Sequence, residues 1–550
     1  MRPLILLLLA GSAAPVAAAD IQRKYFYEDI HAPFFVKDER AGLYRPQRAG
    51  ASAEPFPIRK APGTLRVFVL GGSIAGRYME GRNSLGPILR ELLPGRPIEA
   101  VNCGMAGYDS HREALVLEEV LDYEPDLLVL LSGHNETDQA PPPLWLVHAQ
   151  DRASRLKLFQ DFLHRSTASA RPPEDLSDRT ESVDARFEEN LRRMARRCAD
   201  RGIPLVLAGP PLNRREAPTR LPLPLARREV IDGWLLGLKG EHVRAAESLT
   251  SGLERLPRND PEQGRPWALF LLARSLERQG RLEEAARRYQ EALDADRVPA
   301  GRCLSGCQAA IRKIALEEGA TWIDLDGEFQ RAAAPWAPGF EMFNDTVHWT
   351  RAHDLLASLA IIEGMRRLGR FQTLGWDARR LETLWPRARR PGAAVDDEEA
   401  LATVRYARRE IEISMRGLSG RAMVYLESLL EARPLWFRDP AALAKRAGTG
   451  SAKKGAAWGM APLSEDPAPL LLHAAGARLM RGEASAALRD AERALALRPG
   501  LPRAQLLRGI ALWYQDRRDA ALEPIAAEGA GTPGIEEEKR ALADAIQALH

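Results

Sequence analysis

The tightest constraint on this chain is a series of short, almost wholly apolar runs spaced by helix-length stretches. They lie at residues 64–70, 98–101, 126–131, 204–208 and 321–325, and most are rich in Val, Leu and Ile. Strands covered on both faces read this way, whereas a strand with one wet face alternates apolar and polar residues. Between the runs, residues 85–93, 113–123, 181–201 and 308–318 have helical patterning, the first stopping at Pro94-Gly95. The alternation predicts an α/β fold: a doubly wound parallel sheet flanked by helices in three layers.

The rest of the chain follows another period. Residues 230–299, between the fourth and fifth predicted strands, show no strand pattern, and residues 371–550 read as all-helical. Residues 266–299 fit the 34-residue tetratricopeptide template, with Leu269, Ala273, Gly280, Ala285, Tyr289 and Ala292 at its packing positions. The template returns at 468–501, with Leu471, Ala475, Ala487, Ala494 and Pro499, and at 502–535, with Gly509 and Ala521. Small residues recur because paired helices must approach closely, although generic Ala-Leu-Arg hairpins would look similar. Residues 447–457, rich in Gly, Lys and Ala, predict a flexible loop. The expected plan is a leader at 1–19, an extension without sustained periodicity at 20–65, and an α/β domain at 66–229 and 300–370. A helical insertion at 230–299 and a C-terminal helical domain at 371–550, with repeats at about 468–535, complete it.

Arg2, the apolar run 4–10 and Ala17-Ala18-Ala19 before Asp20 have the pattern of a cleavable export signal. Gly11, Ser12 and Pro15 interrupt the run well short of the roughly 20 residues a spanning helix needs. With no later apolar segment of that length, a periplasmic or secreted protein without a transmembrane segment is expected. A formal charge of +3 over 550 residues gives no reason to expect a nucleic-acid partner. Of four cysteines, only Cys303 and Cys307 are close in sequence, and that spacing within a helix aims two side chains poorly for a bridge. Buried free thiols are the expectation, with a disulfide the alternative.

Four loops carry residues suited to acyl transfer. Ser73 follows the first predicted strand, after Gly71 and Gly72, at the sheet edge where open α/β folds hold their ligands. Gly107 ends the loop after the second strand, and a glycine lets its N–H approach a developing oxyanion. Asn135 follows the third strand with a carboxamide donor. His348 stands three residues after Asp345. An imidazole, with an ordinary pKa of roughly 6.5, can take a serine proton, and a carboxylate beside it can hold the ring. Taken singly, each has a plainer role as turn, cap or packing residue; the coincidence at successive strand ends favours chemistry. Glu118, Glu119 and Asp122 read as the solvated end of a helix, and His111 as a surface residue. His353 lacks partners for a metal site, and no phosphate loop, dinucleotide fingerprint or metal-spaced cluster is present. Arg302 is a candidate substrate-binding residue.

These stretches resemble the SGNH, or GDSL-like, hydrolase superfamily over roughly residues 50–229 and 300–370. Gly71-Gly72-Ser73-Ile74 matches its nucleophile block with Gly72 in place of the usual Asp, and Asn102–Gly107 matches Asn-x-Gly-x-x-Gly. Gly133-His134-Asn135-Glu136 matches the block ending Asn-Asp, with Glu136 in place of Asp, and Asp345-x-x-His348 matches the last. With the helical repeats, the chain looks like a bacterial subgroup of that superfamily carrying tetratricopeptide repeats. The resemblance implies Ser73 as nucleophile, His348 as base and Asp345 as its partner. It also implies an oxyanion hole of the Ser73 and Gly107 N–H groups with the Asn135 side chain, and no cofactor or metal.

The expected activity is that of an exported serine esterase acting on an acyl ester, with an O-acetylated envelope or extracellular glycan as the favoured substrate. An O-acyltransferase would use the same residues, with a sugar hydroxyl in place of water. A non-catalytic scaffold binding a protein partner through its repeats is the alternative of another class.

Overall fold

The computed structural model describes residues 32–48, 51–136, 177–258, 260, 264–296, 301–390, 396–413, 418–449, 466–529 and 534–549. The expected leader at 1–19 and most of the expected loop at 447–457 lie outside them. The chain forms two compact units. The first takes residues up to Pro210, Gly301–Asp324 and Ala360–Ala378; the second takes Pro211–Ala300, Leu325–Leu359 and the chain from Arg379.

In the first unit, β1 (Phe35–Asp38), β2 (Leu43–Pro46) and β3 (Phe56–Pro57) make a small antiparallel sheet within the stretch where no periodicity was expected. Its strands are too short and too rich in charge and proline to show a period. The main sheet holds β4 (Leu65–Gly71), β5 (Ile98–Gly104), β6 (Leu127–Leu131), β7 (Leu205–Ala208) and β8 (Thr321–Ile323). All pair in parallel, in the order β5-β4-β6-β7-β8. β4 and β6 are buried at every position, which is why they read as unbroken apolar runs.

Side-chain alternation along β5 defines the two faces. Val101 and Cys103 join Phe68, Leu70, Leu128 and Leu130 in a core shared with helices Ser110–Val120, Ser177–Asp200 and Ser305–Glu317. Ala100 and Asn102 point the other way, Ala100 against Gly86 of the Leu85–Leu92 helix and Asn102 to the Gly76 carbonyl of the Ser73–Met79 helix. Full burial of one such Leu stabilises by roughly 1.5–3 kcal/mol. The small sheet is tied on by Arg66, which is fully buried. Its guanidinium meets Glu99 at 2.5 Å, the Tyr123 carbonyl at 2.7 Å and the Pro57 carbonyl at 2.9 Å.

The second unit is helical. The segments that fit the 34-residue template fall on helix–turn–helix pairs: Gly264–Arg278 with Leu282–Ala295, Ala468–Met480 with Ala484–Leu497, and Ala504–Tyr514 with Arg518–Ala527. A fourth pair, Arg228–Leu238 with His242–Arg255, precedes them in sequence. Gly476 faces Met423, and Gly509 faces Ile525 and Ala521, at distances where a methyl group would collide. Residues 211–229 and 325–359, expected in the α/β domain, group with the helices instead. Arg214 explains part of this: it pairs with Asp326 at 2.5 Å and donates to Gln290 at 2.7 Å, both within the helical unit.

Candidate active site

The parallel register levels three strand ends. Gly71 of β4 stands opposite Gly104 of β5 on one side and Leu131 of β6 on the other. Ser73, the 105–108 turn and Asn135 therefore leave the sheet from one height. In chain order the strand arrangement is 2-1-3-4-5, whose ligand crevice lies where the order reverses, at the carboxyl ends of β4 and β6. Ser73 and Asn135 follow those two strands.

Ser73 is half-buried and is the first residue of its helix. The helix lies close on β5: a Cβ on Gly104 would stand 2.0 Å from the Gly76 nitrogen. Asn102 reinforces the contact, donating to the Gly76 carbonyl at 2.9 Å and accepting from the Gly104 N–H at 2.9 Å. Gly107 has φ +74° in a turn closed by Tyr108 N–H donating to the Met105 carbonyl at 3.2 Å. A positive φ at the third position alone is a type II turn, which glycine fills without strain. The Asn135 amide donates to the Tyr108 carbonyl at 2.9 Å, which fixes its orientation.

Gly72 and Glu136, where the sequence departs from the pattern it resembles, have local reasons. A Cβ on Gly72 would lie 2.4 Å from Asn135 Nδ2, so glycine at 72 is what lets that amide come beside the serine. Glu136 accepts from the Ser110 N–H at 2.9 Å and from its hydroxyl at 2.8 Å, stapling the exit of β6 to the exit of β5.

Behind Asn135 the expectation of free thiols at 303 and 307 is overturned. Cys303 and Cys307 form a disulfide, with Cα atoms 5.1 Å apart. The helix begins only at Ser305, so Cys303 lies in irregular backbone before it and the helical-spacing argument does not apply. Both sulfurs press on Gly133, where a Cβ would be 2.6 and 2.8 Å from them, and the Cys303 N–H donates to His134 Nδ1 at 2.9 Å. Cys103 and Cys198 are free and buried, and burial pushes the Cys198 thiol up to about 12. Arg302 is half-buried in the same segment, beside Gly301, which closes on the His134 carbonyl.

Asp345 and His348 belong to the second unit, on a hairpin-like loop. Phe343 and Trp349 bridge its arms, the Thr350 N–H donates to the Met342 carbonyl at 2.8 Å, and the Asn344 N–H to the His348 carbonyl at 2.8 Å. Asp345 is 5 % exposed; its Oδ1 accepts from the Val347 and His348 N–H groups at 2.8 and 2.7 Å, and its Oδ2 lies 2.6 Å from His348 Nδ1. Burial alone pushes the Asp345 carboxyl up, but the His348 charge and these hydrogen bonds outweigh it and hold it at about 2. An ionised carboxylate on Nδ1 selects the tautomer with its basic lone pair on Nε2. Asn213, fully buried, donates to the Asp345 carbonyl at 3.1 Å, and its own N–H donates to the Thr346 carbonyl at 3.1 Å.

Nothing in the sequence pattern points to Asn213, nor to Tyr406, whose ring stacks on His348 at 5.8 Å between centroids and 13° between planes. His353 is a packing residue: buried against Phe329, bonded to Thr350 at 2.8 Å, and pushed down to about 4 by burial. Of the acidic trio, Glu118 and Asp122 pair with Arg197 and Arg201 at 2.8 and 3.0 Å. Glu119 is more than a solvated end: it accepts from the Phe34 and Phe35 N–H groups at 2.6 and 2.8 Å. His111 lies half-buried in the first turn of the Ser110–Val120 helix.

No protein-family model matches the sequence, and no curated protein matches it. Among solved structures, the chain is similar to a mutant of an acetyl-xylooligosaccharide esterase from Geobacillus stearmophilus. The two are 14% identical over 55% of this chain and 94% of that one, with a TM-score of 0.27. It is also similar to a GDSL-like lipase from Bacteroides thetaiotaomicron, 13% identical over 55% of this chain and 89% of that one, with a TM-score of 0.25. At such TM-scores these likenesses do not bear on activity.

Proposed function

We propose that this protein is a serine esterase of the SGNH type, with Ser73 as nucleophile, His348 as general base and Asp345 as its partner. The observation that carries this is the Asp345–His348 pair: a buried carboxylate held by two backbone N–H groups and set 2.6 Å from Nδ1. An Asx turn accounts for the two N–H bonds to Oδ1, but not for the second oxygen set against the imidazole. The Ser73 hydroxyl adds to the ester carbonyl while its proton passes to His348 Nε2. The oxyanion accepts from the Ser73 and Gly107 N–H groups and from Asn135 Nδ2, each donor contributing about 3 kcal/mol. Collapse expels the alcohol, which takes the proton from His348, and water repeats the sequence to release the acid. An O-acetyl group on an envelope or extracellular glycan is the proposed ester; the leader-like N-terminus and the superfamily resemblance support it.

The test is labelling of the mature protein with a fluorophosphonate, comparing wild type, Ser73→Ala and His348→Ala. Ser73→Ala takes up no probe, and His348→Ala labels at least a hundredfold more slowly. Equal uptake by wild type and Ser73→Ala overturns the nucleophile; equal rates for wild type and His348→Ala overturn the base. Release of acetate from acetylated oligosaccharides then tests the substrate class.

A further inference from the structure

The Asp397–Ile413 helix lies along the loop that carries Asp345 and His348 and touches it three times. Glu399 accepts the Arg351 N–H at 2.8 Å. One turn on, the Thr403 hydroxyl donates to the Asn344 carbonyl at 3.0 Å. The third contact is Tyr406 on His348, with its hydroxyl oxygen 3.4 Å from Nδ1. Positions 399, 403 and 406 are spaced by four and three, so they share one helix face. Their contacts bracket the pair: Asn344 precedes Asp345 in sequence, Arg351 follows His348, and Tyr406 meets the imidazole itself.

The rings are nearly parallel, and the Nδ1 proton is committed to Asp345 at 2.6 Å. A ring packed along the imidazole restricts its tilt, so Nε2 stays aimed while the proton moves.

We infer that Tyr406 is a positioning residue for His348, and that the Asp397–Ile413 helix is part of the machinery that aims the base. The inference rests on the assignment of His348 as base. The helical region is thereby given a part in the reaction besides any partner it binds. Asp345 meets the ring from its own loop and Tyr406 meets it from the helix.

The full chain is compared with Tyr406→Leu, Tyr406→Phe and Thr403→Val for fluorophosphonate labelling rate, thermal midpoint, and kcat and KM on an acetyl ester. Tyr406→Leu labels about tenfold more slowly at an unchanged midpoint, and its kcat falls by a similar factor while KM stays within about twofold. Tyr406→Phe, which keeps the ring, stays within about twofold of wild type. Thr403→Val, which removes the hydroxyl that the Asn344 carbonyl accepts from, slows labelling by about threefold. Wild-type rates in Tyr406→Leu overturn the inference while leaving Ser73 and His348 in place. A loss in Tyr406→Leu that falls on KM and not on kcat, or that comes with a lowered midpoint, reduces Tyr406 to a packing residue and also overturns it. Failure of wild type to label in a Ser73-dependent way refutes the esterase assignment instead. Should Tyr406→Leu fold poorly, Tyr406→Phe and Thr403→Val decide: equal slowing in both overturns the stacking role.

Discussion

Around Ser73, positions are set by backbone: three strands end in register, and Gly72, Gly104 and Gly133 sit where a methyl group would collide with Asn135, Gly76 and the disulfide. Around His348 they are set by side chains, with Asn213, Thr403 and Glu399 holding a loop by its carbonyls and N–H groups. The first region is intolerant of atoms added, the second of atoms removed. The proposed acyl transfer would give this a rationale, since oxyanion donors must be fixed in advance while a base has to move a proton.

The sharpest way to break the contrast is Gly104→Val. Its side chain meets the Gly76 nitrogen, a backbone atom, so about 3 kcal/mol or more of stability is lost, seen in urea unfolding. Acid attacks the other region. Burial holds His353 and His473 at about 4, and His473 Nε2 accepts the Ser419 N–H at 3.1 Å. A histidine whose folded pKa lies below its unfolded value binds fewer protons when folded, so stability present above pH ~6.5 is lost as the pH falls towards 4. The loss is on the order of 3 kcal/mol per histidine, and His473→Gln flattens the dependence of the thermal midpoint on pH across that window.

Asn213→Ala tests removal directly. It leaves the Asp345 carbonyl and the Glu216 N–H without their buried partner and costs about 2 kcal/mol in urea unfolding. Gly72→Ala tests addition with little change in stability, because φ −78° suits alanine. The new methyl displaces the Asn135 amide, and labelling of Ser73 slows by ten- to a hundredfold. Smallest is Glu136→Gln, which keeps an acceptor for Ser110 but loses its charge: about 1 kcal/mol, measured by thermal melting. Should Gly72→Ala label like wild type while Asn213→Ala does not, the contrast between the halves fails on its catalytic side.

What could be read from the sequence follows the same division. The buried parallel strands announce themselves because both faces must be apolar, and Ser73, Gly107 and Asn135 stand out because they follow strand ends. Asp345 and His348 were legible because they lie within one turn of each other. Tyr406 and Asn213 were not, since they reach the loop from 58 and 132 residues away and no spacing links them to it. The disulfide was missed because helical spacing was applied to Cys303, which precedes the helix that begins at Ser305. The grouping of residues 325–359 with the helices depends on such contacts as Arg214 with Asp326, which carry no sequence period.

The Cys303–Cys307 bridge has a practical consequence. Two thiols need more room than two bonded sulfurs, and the space beside Gly133 is already closed to a methyl group. A chain made in a reducing cytoplasm would have its 133–136 turn pushed outward, carrying Asn135 with it. An inactive preparation from that source would report on the thiols and not on Ser73. On the proposed reading of an exported esterase, passage into an oxidising compartment would be what lets Asn135 settle beside Ser73.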